Sequence, residues 1–173
     1  MRRTKWEACL VDLQERLAAI RVLVLDVDGV LTDRGIYFDR DGPAMKRFDA
    51  HDGLGIQRLQ DAGVAVAIVS GDDSDITAQR ARMLGISLLR LGVDDKQEAV
   101  RRLAADLGVS LEQMAYVGDD VTDLPAFDVV GLRVAVADAV AEVREAADIL
   151  TEKEGGHGAV REVCDAILTA RSL

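Results

Sequence analysis

Four short segments of this 173-residue chain carry carboxylate, hydroxyl and ammonium groups in an order that suits phosphate chemistry. They are Asp26-Val-Asp28-Gly-Val-Leu-Thr32-Asp33, Ser70-Gly71-Asp72, Lys96, and Gly118-Asp119-Asp120-Val-Thr-Asp123. Brought to one place, Asp26, Asp28 and Asp119 would repel one another by several kcal/mol at an effective dielectric of about 20. Such a cluster needs a positive partner. A hard divalent cation with oxygen ligands suits it, and Mg²⁺ suits it best, because Mg²⁺ commonly takes few carboxylates and leaves its other positions to water and a phosphate oxygen. Lys96 adds a further positive charge, so the expected site is a phosphate pocket inside an acidic protein.

Whether the segments meet depends on the elements that carry them. Apolar runs at Val22–Leu25, Val64–Val69, Leu88–Leu91, Ala115–Val117 and Leu132–Val136 read as strands buried on both faces. Helical stretches separate them, at 54–62, 75–84, 96–107, 123–129 and 140–146. An amphipathic helix precedes them, with Trp6, Cys9, Leu10, Leu13 and Leu17 at three- and four-residue intervals. This alternation predicts an α/β fold built on a doubly wound parallel sheet. Ligands of such a sheet bind beyond the carboxyl ends of its strands, where the four segments lie. One stretch breaks the alternation: residues 34–48 place β-forming arms on both sides of Asp41-Gly42, the signature of a β-hairpin. Near the end, Gly155-Gly-His-Gly158 leads into a last helix over 159–170, and 155–173 reads as a tail. With no internal repeat or low-complexity tract, residues 1–173 are expected to form one domain.

Acidic residues outnumber basic ones, 31 to 21, and the net charge is −10. That field repels nucleic acid and anionic membrane surfaces, so neither is an expected partner. The longest apolar stretch, Val64–Val69, falls far short of the roughly 20 residues that span a bilayer. Glu7 and Asp12 interrupt any secretory segment, and a cytoplasmic location is expected. Cys9 and Cys164 lack metal-ligand spacing and read as buried, reduced thiols. The only histidines, His51 and His157, suggest neither a zinc site nor a hydrolase triad. An EF-hand is excluded, because the twelfth position counted from Asp26 is Tyr37 rather than Glu.

Taken in order, the four segments resemble the haloacid dehalogenase superfamily of aspartate-nucleophile phosphatases. A closer resemblance, over nearly the whole chain, is to the capless 3-deoxy-D-manno-octulosonate 8-phosphate phosphatase subfamily. It rests on Asp26–Asp33, the hairpin, Asp52-Gly-Leu-Gly-Ile56, Ala115–Asp120 with Asp123-Leu-Pro-Ala-Phe127, Val134-Ala-Val-Ala-Asp138 and Gly155–Glu162. The resemblance implies Asp26 as a nucleophile forming an aspartyl-phosphate, and Asp28 as general acid and then base. It implies Asp26, the main-chain carbonyl of Asp28 and Asp119 as Mg²⁺ ligands, with Asp120 or Asp123 supporting them from behind. Ser70 and the Gly71 amide are then phosphoryl donors, and Lys96 holds the nucleophile. Thr32, Asp72 and Arg161 complete the candidate substrate contacts. The implied substrate is a small-molecule 2-keto-3-deoxy sugar acid phosphate.

The hairpin, a helix and a strand fill the chain between Asp28 and Ser70. A helix, a strand and a turn fill it between Gly71 and Lys96, so neither interval has room for a cap domain. An uncovered cleft weakens the charge interactions within it. A neighbouring copy is therefore expected to cover the site, with the hairpins at the centre of the assembly and the Gly155–Arg161 tail reaching towards an adjacent site. The resemblance implies a homotetramer. Subfamily members usually carry Arg directly after the Ser-Gly pair, where this chain has Asp72. A carboxylate there accepts hydrogen bonds from sugar hydroxyls, where Arg would grip an anion. Nine-carbon ulosonate phosphatases of similar architecture have an acidic residue at this point, so eight and nine carbons both stay open. The competing class is a non-catalytic assembly module of the kind fused to sugar cytidylyltransferases. Clustered, mutually repelling carboxylates have no physical use in such a module.

Overall fold

Val22-Leu-Val-Leu25 is apolar at every position because neighbours cover both faces and both edges. It forms a fully buried central strand, β1 (Val22–Leu25). The structure, a computed structural model, describes residues 5–172, with side chains from residue 11 onward. After β1 come the hairpin strands β2 (Thr32–Asp39) and β3 (Gly42–Phe48), then β4 (Ala65–Val69), β5 (Leu88–Arg90), β6 (Met114–Gly118), β7 (Leu132–Ala135) and β8 (Ile149–Leu150). The main sheet has the order β5-β4-β1-β6-β7-β8, and every pairing in it is parallel. Val22 to Leu25 face Ala65 to Ile68 on one side and Met114 to Val117 on the other. The chain thus winds outward through β4 and β5, then crosses back over β1 to continue through β6. That reversal creates a crevice at the carboxyl ends of β4, β1 and β6.

The helices are α1 (Lys5–Ala19), α2 (Ala50–Asp61), α3 (Asp75–Met83), α4 (Lys96–Leu107), α5 (Leu124–Phe127), α6 (Ala141–Ala146) and α7 (Ala159–Arg171). α7 packs between α2 and α1, while α5 packs against α4 and α6, so helices flank the sheet in two groups. Leu23, Leu25, Ile56, Leu59, Ile68, Leu103, Met114, Leu132 and Ile167 fill the core between the layers. The doubly wound α/β expectation holds. Between β1 and β4 stand only the hairpin and α2, and between β4 and α4 only α3 and β5, so neither interval holds a cap.

Local differences from the expected elements have physical causes. α2 begins at Ala50 rather than at residue 54, because Asp49 caps it, accepting from the His51 amide at 2.7 Å. Gly55 lowers helix propensity, yet a Cβ there would come within 3.1 Å of the Arg161 Cα, so close packing of α2 on α7 requires it. The expected helix over 123–129 is a 3₁₀ turn, Val121–Asp123, followed by the short α5. β8 was not expected, since two residues carry no period. Cys164 is buried as expected, and burial pushes its thiol up to about 12. The side chains of Trp6, Cys9 and Leu10 lie outside the described residues. No helix among the described residues is long and apolar enough to cross a membrane.

Asp148, just before β8, ties α1 to the sheet edge. Its carboxylate accepts from the Arg133 amide at 2.9 Å, Arg133 Nε and Nη2 at 3.0 and 2.7 Å, and Arg16 Nη2 at 2.8 Å. Burial pushes this carboxyl up, but the hydrogen bonds from Arg133 and Arg16 outweigh it and hold it well below the usual range. A depressed folded value means the stabilisation is complete above the unfolded value of about 3.9 and drains away as pH falls towards the folded one. Asp148→Asn is expected to lower stability at pH 7 by about 1–2 kcal/mol, allowing for the partly exposed arginines. In urea titrations its deficit against the parent should shrink between about pH 4 and pH 2.

Candidate active site

The crevice is a cleft of about 410 Å³ lined by Asp26, Asp28, Ser70, Gly71, Asp72, Lys96, Asp119 and Asp120, among others. Each is delivered by the end of an element. Asp26 follows β1 and extends its ladder, its amide donating to Val117 O at 3.1 Å. Ser70 follows β4, its amide donating to Arg90 O at 3.0 Å. Asp119 follows β6. Lys96 is the first residue of α4, whose start is fixed by Asp95 accepting from the Glu98 amide at 2.9 Å. Between Asp26 and Thr32 the chain folds into a tight turn, with the amides of Val30, Leu31 and Thr32 all donating to Val27 O. Gly29, at φ 96°, lets that turn pass Asp119, since a Cβ there would overlap the Asp119 carboxylate.

Asp123 is fully buried and organises the floor. Its Oδ1 accepts from Lys96 Nζ at 2.7 Å and Tyr116 OH at 2.8 Å, and its Oδ2 from the amides of Asp119 and Asp120 at 2.9 and 3.3 Å. Lys96 Nζ also lies 3.0 Å from Asp26 Oδ1, so two carboxylates share one ammonium. Burial, followed by the Asp123 charge, pushes Asp26 up to about 7 against the pull of Lys96. Desolvation lowers Lys96, but Asp26 and Asp123 outweigh it and leave its value raised.

Carboxylate oxygens of Asp26, Asp119 and Asp123 lie within 4.8 Å of one another, all buried. Asp123 has both oxygens engaged by donors, which makes it a brace. Asp119 is different. Arg34 Nε takes its Oδ2 at 2.7 Å, while its Oδ1 is buried with no partner, and burial pushes the carboxyl up to about 6. An unpartnered buried oxygen beside the Asp26 carboxylate is where a hard cation would relieve the greatest cost, and the donors on offer are all oxygen. The residues present fit a divalent metal held by Asp26 and Asp119, with the main-chain carbonyl of Asp28 in the same turn.

Two expected contacts sit elsewhere. Thr32 is fully buried behind Asp28, its hydroxyl 3.2 Å from Asp28 Oδ1, and it does not line the cleft. Arg161 turns its Nε to Asp165 at 2.6 Å and its amide to Asp52 at 2.7 Å, and does not line the cleft of its own chain. The start of the tail is held on its own chain, the Gly156 amide donating to Val30 O and the Gly155 amide to Asp138 Oδ1. Asp120 is exposed at the rim and caps the next turn through the Val121 amide. The His51 side chain is exposed.

Three participants escaped sequence reading. Arg34, the one non-glycine residue with φ in the left-handed region among the described residues, bridges Asp119 and Asp138. Tyr116 braces Asp123. Lys46 of β3 donates to Asp28 Oδ2 at 2.7 Å and Asp72 Oδ2 at 2.8 Å. Strand alternation could have flagged Lys46, since it puts this residue on the face opposite Met45 and Arg47.

Comparison with known proteins agrees with this fold. Residues 74–163 match the family model of haloacid dehalogenase-like hydrolases. The chain is 46% identical over 159 residues to the 3-deoxy-D-manno-octulosonate 8-phosphate phosphatase of Haemophilus influenzae, covering 92% of this chain and 88% of that one. To the Yersinia pestis phosphatase of the same name it is 45% identical, covering 92% and 86%. Among solved structures, the Moraxella catarrhalis 3-deoxy-D-manno-octulosonate 8-phosphate phosphatase, in complex with a magnesium ion, a phosphate ion and a KDO molecule, superposes with a TM-score of 0.90. It is 39% identical, with 93% of this chain and 92% of that one covered. With this identity over almost the whole length, the chain belongs to the haloacid dehalogenase-like hydrolases and, within them, to the 3-deoxy-D-manno-octulosonate 8-phosphate phosphatase family.

Proposed function

We propose that this chain is a Mg²⁺-dependent phosphatase that releases phosphate from 3-deoxy-D-manno-octulosonate 8-phosphate through an aspartyl-phosphate on Asp26. The observation that carries the reading is the convergence of Asp26, Asp28, Ser70, Lys96 and Asp119 in one cleft, with a buried Asp119 oxygen left unpartnered. Asp26 attacks phosphorus in line, held by Lys96. Ser70 and the Gly71 amide donate to a phosphoryl oxygen. Asp28 protonates the leaving sugar oxygen and then takes a proton from the water that cleaves the acyl phosphate. Mg²⁺ bound by Asp26, Asp119 and the Asp28 carbonyl would neutralise the gathered negative charge of protein and substrate.

The relatives point to an eight-carbon sugar rather than to the nine-carbon alternative. The reading takes the chain as one phosphatase unit that assembles as a homotetramer in the cytoplasm. Supporting assembly, Ile36, Tyr37, Phe38 and Met45 of the hairpin are exposed, Phe38 by 68%.

The test is phosphate release from eight- and nine-carbon ulosonate phosphates and an aryl phosphate, each with Mg²⁺ and with chelator. The eight-carbon ester is expected to have the highest kcat/KM, and chelation to remove at least about 99% of turnover. Equal rates on the aryl ester, or turnover in chelator, would count against the assignment. Sedimentation velocity on the same sample should show four chains, and a monomer would remove the assembly from the reading.

A further inference from the structure

Lys46 lies between two exposed neighbours on β3, yet its own side chain is 1% exposed. An ammonium buried to that degree is costly unless it is paired. Its partners are Asp28 Oδ2 at 2.7 Å and Asp72 Oδ2 at 2.8 Å. Asp72 is itself anchored, because the same oxygen accepts from Ser74 Oγ at 2.6 Å and Thr77 Oγ1 at 2.7 Å. The ammonium is therefore moored firmly on the Asp72 side and presents one N–H to Asp28. An ammonium can only donate, and Asp28 Oδ2 accepts from it. The other oxygen, Oδ1, faces the Thr32 hydroxyl at 3.2 Å, a group that both donates and accepts.

The geometry points to Lys46 as the positioning residue of the proton-transfer steps: moored by Asp72, Ser74 and Thr77, it pins Asp28 by Oδ2 and so fixes the carboxyl that moves the proton. This rests on the phosphatase reading above and adds to it a residue. In the first step the Asp28 proton passes to the ester oxygen as that oxygen leaves phosphorus and the Asp26–phosphorus bond forms. In the second, Asp28 takes a proton from the water whose oxygen bonds to phosphorus as the Asp26–phosphorus bond breaks. Asp72 thereby serves to hold Lys46 rather than to meet the sugar through Oδ2, which already has three donors.

p-Nitrophenyl phosphate separates the two steps, because p-nitrophenolate leaves without a proton whereas a sugar alkoxide needs one. For Lys46→Met, kcat on 3-deoxy-D-manno-octulosonate 8-phosphate should fall about 10²- to 10³-fold while KM moves less than about threefold. The aryl ester should give a near-parental burst approaching one p-nitrophenolate per site, then slow turnover, since only its second step needs Asp28. Lys46→Arg should recover at least about tenfold in kcat. Asp72→Asn keeps the ammonium but loosens its mooring, and should show a smaller loss with the same burst. If circular dichroism shows that the Met variant does not fold, the Asn variant carries the test. Burst rate and sugar turnover falling by one common factor, or neither changing, would overturn the inference. A parent that turns over the aryl ester without preferring the sugar phosphate would defeat the substrate reading, yet the burst would still decide the role of Lys46.

Discussion

With Asn in place of Asp26, phosphate release should fall by at least about 10⁴-fold, because the proposed nucleophile is then gone. The fold should survive. Asp26 and Asp123 share the Lys96 ammonium at 3.0 and 2.7 Å, and removing one of two buried negative charges leaves a balanced Lys96–Asp123 pair. Stability should even rise in chelator. Burial and the Asp123 charge hold Asp26 up at about 7, so the folded parent keeps a proton that the unfolded chain loses near 4. The unfolded state then binds fewer protons between those values, and the parent loses stability as pH rises from about 4 to about 7. The Asn variant lacks that loss, so its melting temperature should exceed the parent's by a margin that widens from pH 5 to pH 8 in calorimetry with chelator. A variant that still forms a phosphoprotein, or that melts below the parent at pH 8, would contradict this account of Asp26.

Asp123→Asn should be the most damaging isosteric change to stability. The carboxylate meets donors on both sides: Lys96 Nζ and Tyr116 OH at Oδ1, and the amides of Asp119 and Asp120 at Oδ2. An Asn amide presents its NH₂ to one of those pairs whichever way it turns, so donors face donors in a fully buried place. Breaking a buried pair in this way costs about 3–5 kcal/mol, read as a drop in the urea midpoint at unchanged slope. Turnover should fall by about 10²-fold or more as well, since Lys96 loses its second anchor and the Asp119 amide its acceptor. A midpoint within about 0.3 M of the parent's would mean that Asp123 is not the brace described here.

How far the chain could be read without its fold is shown by individual residues. Asp26, Ser70 and Asp119 were legible because each closely follows an apolar run, and Lys96 because it opens the helix after one; a parallel sheet delivers such positions to one edge. Thr32 and Arg161 were legible as chemistry but not as position. The tight turn around Val27 O swings Thr32 behind Asp28, and Asp165, one helical turn along α7, claims the Arg161 guanidinium. Lys46, Arg34 and Tyr116 were hidden, since the partner of each is 7 to 104 positions away along the chain.

The amino-acid order by itself determined the α/β alternation, the hairpin, the absence of room for a cap, and the acidic segments that call for a cation. These depend on periodicity, on turn chemistry and on repulsion between like charges, all of which act over short stretches or follow from composition. Only the tertiary structure decided which oxygen of each carboxylate is spoken for. It made Asp123 a brace with both oxygens taken, left Asp119 with one oxygen free, and put Asp28 between Lys46 and Thr32. Hydrogen bonds are short and directional, so their pairing is settled by the packing of β3, α4 and β6 around the end of β1, to which no single segment holds the key.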